Sequence, residues 1–320
     1  MKKIYKLKNQ IKHYDWGSKD IIPEFLGFEN KEGLSFAEVW MGTNNSAPSL
    51  AHEDDNLIEL KEIAGELKYL LKLIAVDKPL SIQAHPNKRQ AYYGFKKETE
   101  AGIDINDPKR CYKDKNCKNE LLCALTPFTL MIGFRKPEEI VTSVNDASPE
   151  QLKLIKSLET FYPQDPAIYS PLYLNLVSLN PGQAIYIPAG VLHSYVSGFG
   201  IELMNNSDNV MRGGLTSKYI DTAGIKEIVD TEPYYPDIIS IDLKNSSMVC
   251  KDFSLTYIQG NGSEIKLDGC GPAICIVTKG EIKTCGLVLK KGESFFIPQD
   301  TKEIAIEGHY SLYIATDKIR

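Results

Sequence analysis

The sequence predicts an all-β protein built from a duplicated β-barrel with a small helical insertion. Short runs of β-branched and aromatic residues recur along most of the 320 residues, separated by glycine, proline, asparagine or aspartate. One strand motif near residue 182 is repeated near residue 292, and helical patterning is confined to 89–101 and 137–160. Because strands dominate and one strand motif occurs twice, we expect two related barrels in one chain.

The predicted strands are continuous or alternating apolar runs, typical of barrel walls. In the first two thirds of the chain they are LLKLIAV, FTLMIGF, LNLVSL, AIYIP and GIELMN. In the last third they are AICIVT, SFFIP, EIAIEG and YSLYIAT. The second helical stretch has a clear start, because Ser148 is a good N-cap residue and Pro149 fits the first helical position. We expect this stretch to form an insertion at about 137–168.

The repeated motif is a glycine, five residues and a proline, followed by a polar residue five positions later. The copies are GQAIYIPAGVLH at 182–193 and GESFFIPQDTKE at 292–303. In each copy the glycine permits a tight turn and the proline ends a strand without needing a backbone donor. The first copy ends in His193 and the second in Glu303. This difference predicts one barrel with metal ligands and one degenerate barrel, although the repeat could also be a coincidence of ordinary strand and turn patterns.

A domain boundary is predicted where EPYYPD at 232–237 interrupts the regular patterning. We therefore expect a first domain at 1–234, which holds the metal site and the helical insertion. The second domain, at 235–320, is expected to be a β domain without metal ligands.

Composition and charge exclude several classes of protein. Hydrophobic residues make up 42% of the chain and charged residues 25%, which is ordinary for a globular protein. The formal net charge of -5 argues against binding to nucleic acid or to an anionic membrane surface. We find no apolar run long enough for a signal peptide or a membrane span, and seven cysteines are an odd number for a disulfide framework. We expect a cytoplasmic protein.

Two of the five histidines lie where a strand would present them to a barrel interior. In LSIQAHP at 80–86, strand periodicity places Gln83 and His85 on the same face. His193 follows PAGVL at a strand end, which predicts a position at a barrel mouth. Neutral imidazole is a common ligand for metals of intermediate softness, but a strand Gln-x-His pair is also often only hydrogen-bonded.

Glu120 begins an apolar strand, so its carboxylate can project from the first layer of a barrel interior. Taken alone, a glutamate at such a position is more often a surface residue. Two imidazoles, one amide and one carboxylate on separate strands would form a shell with a single formal ligand charge, which suits zinc and leaves it strongly Lewis-acidic.

The polar segment at 201–221 is predicted to form a strand followed by a loop at the rim of a site. It contains Glu202, Arg212 and Lys218. A planar guanidinium fits a developing oxyanion and a lysine ammonium fits a phosphate, although loop cations are often only solvated.

At these positions the chain resembles the type I phosphomannose isomerases, a family with the cupin fold. The motifs that carry the resemblance are YDWG at 14–17, FAEVWMGT at 36–43, LSIQAHPNK at 80–88, KNE at 118–120, ALTPF at 124–128, PAGVLH at 188–193 and SDNVMRGGLTSK at 207–218. The chain departs from the general cupin pattern where glutamine replaces the first histidine of H-x-H. The glutamate also follows His85 by 35 residues.

The resemblance implies a double cupin (bicupin) jelly roll of the short bacterial type, one Zn²⁺ per chain and a small sugar phosphate as partner. It implies interconversion of mannose 6-phosphate and fructose 6-phosphate through an enediolate. The implied metal ligands are Gln83, His85, Glu120 and His193. The resemblance implies a catalytic role for Arg212 and places Trp16, Ser81, Lys118, Glu202 and Lys218 in the pocket. We expect the catalytic base to be Glu202 or Lys118. Trp16 is expected to bind substrate, and Ser81, Lys218 and Lys88 are expected to bind its phosphate, because an acidic protein needs local cations there.

Two other functions fit parts of the same pattern. A cupin with histidine and carboxylate ligands can also be an iron-dependent oxygenase, and a bicupin with a structural metal can bind sugars without catalysis. Either Glu202 or Lys118 could move the proton. The sequence does not decide the oligomeric state.

Overall fold

The computed structural model describes residues 4–241, 246–268 and 271–317, and most of its regular elements are strands, as predicted. The strands before residue 130 are β1 Tyr5–Lys8, β2 Gln10–Lys12, β3 Glu38–Met41, β4 Leu50–Glu53, β5 Asn56–Glu59, β6 Tyr69–Val76, β7 Ile82–Ala84, β8 Glu120–Ala124 and β9 Phe128–Phe134. The next group is β10 Leu174–Leu179, β11 Gln183–Ile187, β12 His193–Asn205, β13 Met211–Gly214 and β14 Ile239–Ser240. The last group is β15 Ser246–Val249, β16 Phe253–Asn261, β17 Ile265–Asp268, β18 Ala273–Thr284, β19 Leu287–Lys290, β20 Ser294–Ile297, β21 Glu303–Ile306 and β22 His309–Asp317.

Helices are few among the described residues. The predicted stretch at 89–101 is confirmed, whereas the stretch at 137–160 is α-helical only from Pro149 onward, and three short helices lie outside both stretches. The helices are α1 Ile21–Leu26, α2 Leu60–Ala64, α3 Lys88–Glu100, α4 Pro149–Phe161 and α5 Thr222–Ile228. Helix α4 begins with the expected cap: Ser148 accepts a hydrogen bond from the backbone of Gln151, whose side chain bonds back to the Ser148 N–H. Short 3₁₀ turns at 137–139, 144–146 and 166–172 complete the insertion.

The first barrel has two walls that share β12. The N-terminal part of β12 pairs with β7 and β9, while its C-terminal part pairs with β6 and β8. The strand changes walls at a register shift between Tyr195 and Ser197, next to Gly198 with φ +129°. A Cβ at Gly198 would lie 2.7 Å from the Pro127 carbonyl oxygen, so the bend requires glycine. Because of this bend, both ends of β12 contribute to the interior of the first barrel.

The second sheet runs in the order β15, β16, β22, β18, β20, β1, β4 and β5, with β19 beside β18. It therefore joins strands of 246–317 to strands of 5–59, and β17 pairs separately with β21. Together the two sheet systems form the expected double cupin. The domain boundary at 234/235 stays a prediction.

The repeated motif folds alike in both copies. Gly182 and Gly292 have φ +83° and +87°, each precedes a strand, β11 or β20, and each strand ends before a proline. His193 then begins β12, whereas Glu303 begins β21.

The largest apolar core lies between the two barrels. It combines buried residues of β6 and β12 with residues of β16, β18 and β22. None of the described helices is long and apolar enough to cross a membrane.

Candidate metal centre

Three buried side chains converge where β7 ends and where β8 and β12 begin. His85 Nε2 lies 3.1 Å from Glu120 Oε1, and His193 Nε2 lies 3.2 Å from Glu120 Oε2. One ligand atom from each residue lies within 4.8 Å of the others. The structure thus brings together the two histidines and the carboxylate that were predicted as metal ligands.

Hydrogen bonds on the far side of each ring determine which nitrogen faces the carboxylate. His85 Nδ1 lies 2.8 Å from the backbone oxygen of Asn209, and His193 Nδ1 lies 3.0 Å from that of Val191. A carbonyl oxygen only accepts, so each Nδ1 carries the proton and each Nε2 presents a lone pair. Glu120 Oε1 is fully buried and receives no well-directed hydrogen bond, although Lys118 Nζ lies 3.0 Å away. Lone pairs converging on buried oxygens fit a bound cation, and this nitrogen and oxygen set suits zinc.

The charges of the cluster agree with a ligand set that is ready for a metal. Burial and the nearby Lys118 ammonium lower the pKa of His85 to about 3, so its ring is neutral. Burial alone would raise the pKa of Glu120, but the nearby Lys118 ammonium outweighs burial and holds this pKa well below its ordinary range. Lys118 Nζ lies 3.0 Å from Glu120 Oε1 and 3.3 Å from His85 Nε2.

Gln83 lies beside this cluster on the same side of β7 as His85. Its side-chain nitrogen is 3.5 Å from His193 Nε2, and Gln83 is the register partner of both His193 and Arg212. Rotation of the amide by half a turn would present its oxygen to the same point.

A second buried network lies on the wall that β6 and β8 form with the C-terminal part of β12. Lys72 on β6 is the direct register partner of Glu202 on β12, and its Nζ lies 3.0 Å from Glu202 Oε2 and 3.4 Å from Glu38 Oε1. Burial alone would lower the pKa of Lys72, but the carboxylates of Glu202 and Glu38 outweigh it and raise this pKa. The Tyr195 hydroxyl donates to Glu202 Oε1 at 2.9 Å and lies 3.5 Å from Glu120 Oε2, so it connects the two networks.

Both networks face one cavity of about 580 Å³. The predicted residues that line it are Trp16, Ser81, Gln83, Lys118, Glu120, Glu202, Arg212 and Lys218. His85 and His193 are buried at its floor through their contacts with Glu120.

The two cations near the mouth of the cavity are partly desolvated. Burial lowers the pKa of Arg212, and burial together with the Arg212 charge lowers the pKa of Lys218. Lys218 Nζ lies 5.4 Å from the centre of the Tyr14 ring, and that ring stacks on Trp16. Burial raises the pKa of Tyr14 to about 12, so its hydroxyl keeps its proton at neutral pH.

Lys88 lies apart from the other predicted substrate-binding residues. It is the first residue of α3, lines a neighbouring cavity and lies with its Nζ 3.3 Å from Asn116 Oδ1. Because Lys88 does not line the cavity of the other predicted substrate-binding residues, its contact with substrate stays a prediction.

Sequence reasoning missed Lys72, Tyr195 and Glu38. The only signal for Lys72 is a charge inside the apolar run 69–76. Its partners on other strands are distant along the chain, so the sequence alone does not connect them.

Comparisons with known proteins point to one family. A model of the catalytic domain of type I phosphomannose isomerase matches residues 4–137. The chain is 30% identical to mannose-6-phosphate isomerase of Escherichia coli K12, over 99% of this chain and 100% of the relative. It is 31% identical to the Salmonella typhimurium enzyme of the same name, over 95% of this chain and 97% of the relative.

Solved structures give the same result. A zinc-bound crystal structure of mannose 6-phosphate isomerase superposes with a TM-score of 0.87 at 30% identity, over 99% of this chain and 100% of that chain. A Salmonella typhimurium structure that holds fructose 6-phosphate and zinc superposes with a TM-score of 0.87 at 29% identity, over the same shares.

Proposed function

Because the chain belongs to the type I phosphomannose isomerase family, we propose that His85, Glu120 and His193 hold its zinc, with Gln83 as a fourth ligand. The chain is a zinc-dependent isomerase that interconverts mannose 6-phosphate and fructose 6-phosphate. A sugar phosphate is its small-molecule partner. The observation that carries the site assignment is the pair of Nε2 lone pairs directed at a buried carboxylate.

The reaction moves a proton between C2 and C1 of the sugar through an enediolate. It needs a proton-transferring group beside the carbons, stabilisation of the negative oxygen atoms and a grip on the phosphate. Zinc bound to these ligands supplies Lewis acidity toward the substrate oxygens. The remaining requirements fall to side chains that line the cavity.

Glu202 is our candidate for the group that moves the proton. Burial raises its pKa, against the opposing charge of Lys72, and a raised pKa brings a carboxylate closer to the range useful for transfer at neutral pH. Lys72 and Tyr195 each bond one of its oxygens, which fixes the carboxylate and leaves further lone pairs on both oxygens. Lys118 is the alternative, since its ammonium lies against the metal cluster.

Arg212 and Lys218 provide the positive charge that the reaction intermediates and the phosphate require. Arg212 lies on β13 opposite Gln83, and we assign it to the developing enediolate oxygen. Ser81 and Lys218 line the same cavity, and we assign them to the phosphate. The stacked rings of Tyr14 and Trp16 offer an apolar face to the sugar.

We also place the enzyme in the cytoplasm. Cys111, Cys117, Cys250 and Cys285 are free thiols, which fits a reducing compartment. Cys270 lies outside the described residues.

The deciding experiment measures conversion of mannose 6-phosphate to fructose 6-phosphate in a coupled assay. We expect turnover that stops when a chelator removes the metal and returns with added zinc. His193→Ala should lose both zinc and activity, whereas His52→Ala, at an exposed strand position, should keep both. Sugar binding without turnover would favour a non-catalytic bicupin. Oxygen consumption with Fe(II) would favour an oxygenase.

A separate experiment tests Glu202. Glu202→Gln keeps the size of the side chain but removes its ability to take a proton, so kcat should fall at least about a hundredfold while zinc content is retained. If Glu202→Gln kept nearly full kcat and Lys118→Met were inactive, Lys118 would be assigned as the group that moves the proton.

A further inference from the structure

Asn209 is fully buried next to the metal centre, and its side chain bonds a loop distant in sequence. Its Oδ1 accepts hydrogen bonds from the backbone N–H groups of Lys113 at 2.6 Å and Asp114 at 3.0 Å. Its Nδ2 donates to the backbone oxygens of Asn116 at 2.9 Å and Asp114 at 3.0 Å, and lies 3.2 Å from Asp114 Oδ1. One amide therefore closes the loop at 113–116.

Asp114 makes the reciprocal set of bonds to the segment that contains Asn209. Its Oδ2 accepts from the backbone N–H of Asp208 at 2.8 Å. Its Oδ1 accepts from the Ser207 hydroxyl at 2.9 Å and from the Asn116 N–H at 2.8 Å. Each segment thus supplies a side chain that satisfies the backbone of the other, which makes the pair a two-way clamp.

Both halves of this clamp lead directly into the catalytic site. The backbone oxygen of Asn209 is the atom that accepts the proton of His85 Nδ1. The loop at 113–116 runs on into Lys118 and Glu120, and the segment with Asn209 runs on into Arg212. The relative position of His85 and Glu120 therefore depends on the bonds between the two segments.

We propose that Asn209 and Asp114 are positioning residues for the metal centre. They fix the tautomer and orientation of His85 and hold Glu120 and Lys118 at the correct distance from it. This inference rests on the proposed zinc site. Neither residue lines the catalytic cavity, so the clamp acts through His85 and Glu120, as hydrogen-bond partners of metal ligands commonly do.

The chemistry of Asn209 explains why this position needs an amide. The site presents two N–H donors and several oxygen acceptors to one planar group, and asparagine matches both kinds. An aspartate would keep the acceptor contacts, but it would place a carboxylate against the oxygens of Asp114 and Asn116. Asn209→Asp therefore removes the hydrogen bonds that the Asn209 amide donates, with little change in side-chain volume.

The test measures the affinity of the full-length chain for zinc by competition with a chelator, on protein shown to be folded by circular dichroism. We expect Asn209→Asp to lower zinc affinity about tenfold to a hundredfold, and Asp114→Asn to lower it about tenfold. Leu312→Ala is the control, because it removes buried side chain from the second barrel and lowers stability away from the clamp. Its zinc affinity should stay within about twofold of the parent chain.

The outcomes separate the clamp from the site it supports. Parent-like zinc affinity in folded Asn209→Asp, with loss of zinc in His193→Ala, would overturn the clamp and leave the metal centre intact. Parent-like affinity in His193→Ala would instead overturn the metal centre. If Asn209→Asp does not fold, Asp114→Asn decides in the same way, and unchanged affinity there would reject the proposal.

Discussion

At the scale of single residues, the cavity contains more buried negative than positive charge. The carboxylates of Glu38, Glu120 and Glu202 are buried around it, while the buried ammonium groups of Lys72 and Lys118 are the cations close to them. Buried charge is costly unless it is compensated. At the site proposed here, a divalent cation held by the histidines and Glu120 would offset this excess of buried negative charge.

Lys72 should be among the residues most important for stability. Lys72→Met keeps the length of the side chain but leaves Glu38 and Glu202 without their counter-ion, and removing one partner of a buried ion pair costs about 3 to 5 kcal/mol. Urea denaturation measures the loss. The control is Lys96→Met, which breaks an exposed helical pair with Glu100 and should cost less than about 0.5 kcal/mol. Equal losses of unfolding free energy in Lys72→Met and Lys96→Met would contradict the stabilising role of the buried Lys72 ion pairs.

Lys218 should make substrate binding sensitive to alkaline pH. In its proposed role the ammonium form of Lys218 binds phosphate, and desolvation and Arg212 lower its pKa below the ordinary 10.5. As pH rises through this lowered pKa the ammonium loses its proton, so KM for mannose 6-phosphate should begin to rise before pH 10.5. Lys218→Arg keeps its charge to higher pH and should move the rise in KM upward. Kinetics across the alkaline range test this, and an unmoved KM profile in Lys218→Arg would argue against a phosphate contact.

At the scale of elements, the helical insertion packs against the segment that leads to Lys218. Asp165 accepts a hydrogen bond from the Leu215 N–H at 2.7 Å, and Leu215 has a left-handed backbone with φ +52°. Gly214 lies so close to Ala167 that a Cβ at this glycine would come within 2.3 Å of the alanine methyl group. The insertion therefore sets the path of the chain toward the mouth of the cavity.

This packing predicts that Asp165 and Lys218 act together in substrate binding. Asp165→Ala removes the bond that holds Leu215, so KM should rise about tenfold while kcat changes little. If the loss passes through Lys218, adding Asp165→Ala to Lys218→Ala should raise KM no further, which corresponds to a coupling of about 1.4 kcal/mol. Steady-state kinetics of the parent chain, the two single variants and the double variant measure this coupling as a double-mutant cycle. Multiplicative effects on KM would show that the two residues act independently.

Local patterning predicted the elements better than it predicted the contacts between them. The start of α4 at Ser148 follows from capping chemistry, and β11 follows from the apolar run between Gly182 and Pro188, because both signals lie within a few residues. Lys72 and its partner Glu202 are 130 positions apart, and their contact is fixed only by the register of β6 and β12. Asn209 was missed for the same reason, since its partners lie on a distant loop.

At the scale of the whole molecule, the barrels share their largest core, and the second sheet includes strands β1, β4 and β5 from the start of the chain. Tyr69 on β6 spans this core. Its hydroxyl donates to the backbone oxygen of Ala315 at 2.9 Å and accepts from the Ile274 N–H at 3.0 Å. One side chain of the first barrel thus satisfies backbone groups on β22 and β18 of the second.

This shared core predicts that the molecule unfolds as one unit. Tyr69→Phe leaves the Ile274 N–H and the Ala315 oxygen buried without that partner, which should cost about 1 to 3 kcal/mol. The two tryptophans, Trp16 and Trp40, line the catalytic cavity, so their fluorescence reports the first barrel, whereas circular dichroism reports strands of both. With zinc saturating, both signals should change at the same denaturant concentration and shift together in Tyr69→Phe. Separate transitions, or a shift in only one signal, would show that each barrel is stable without the other.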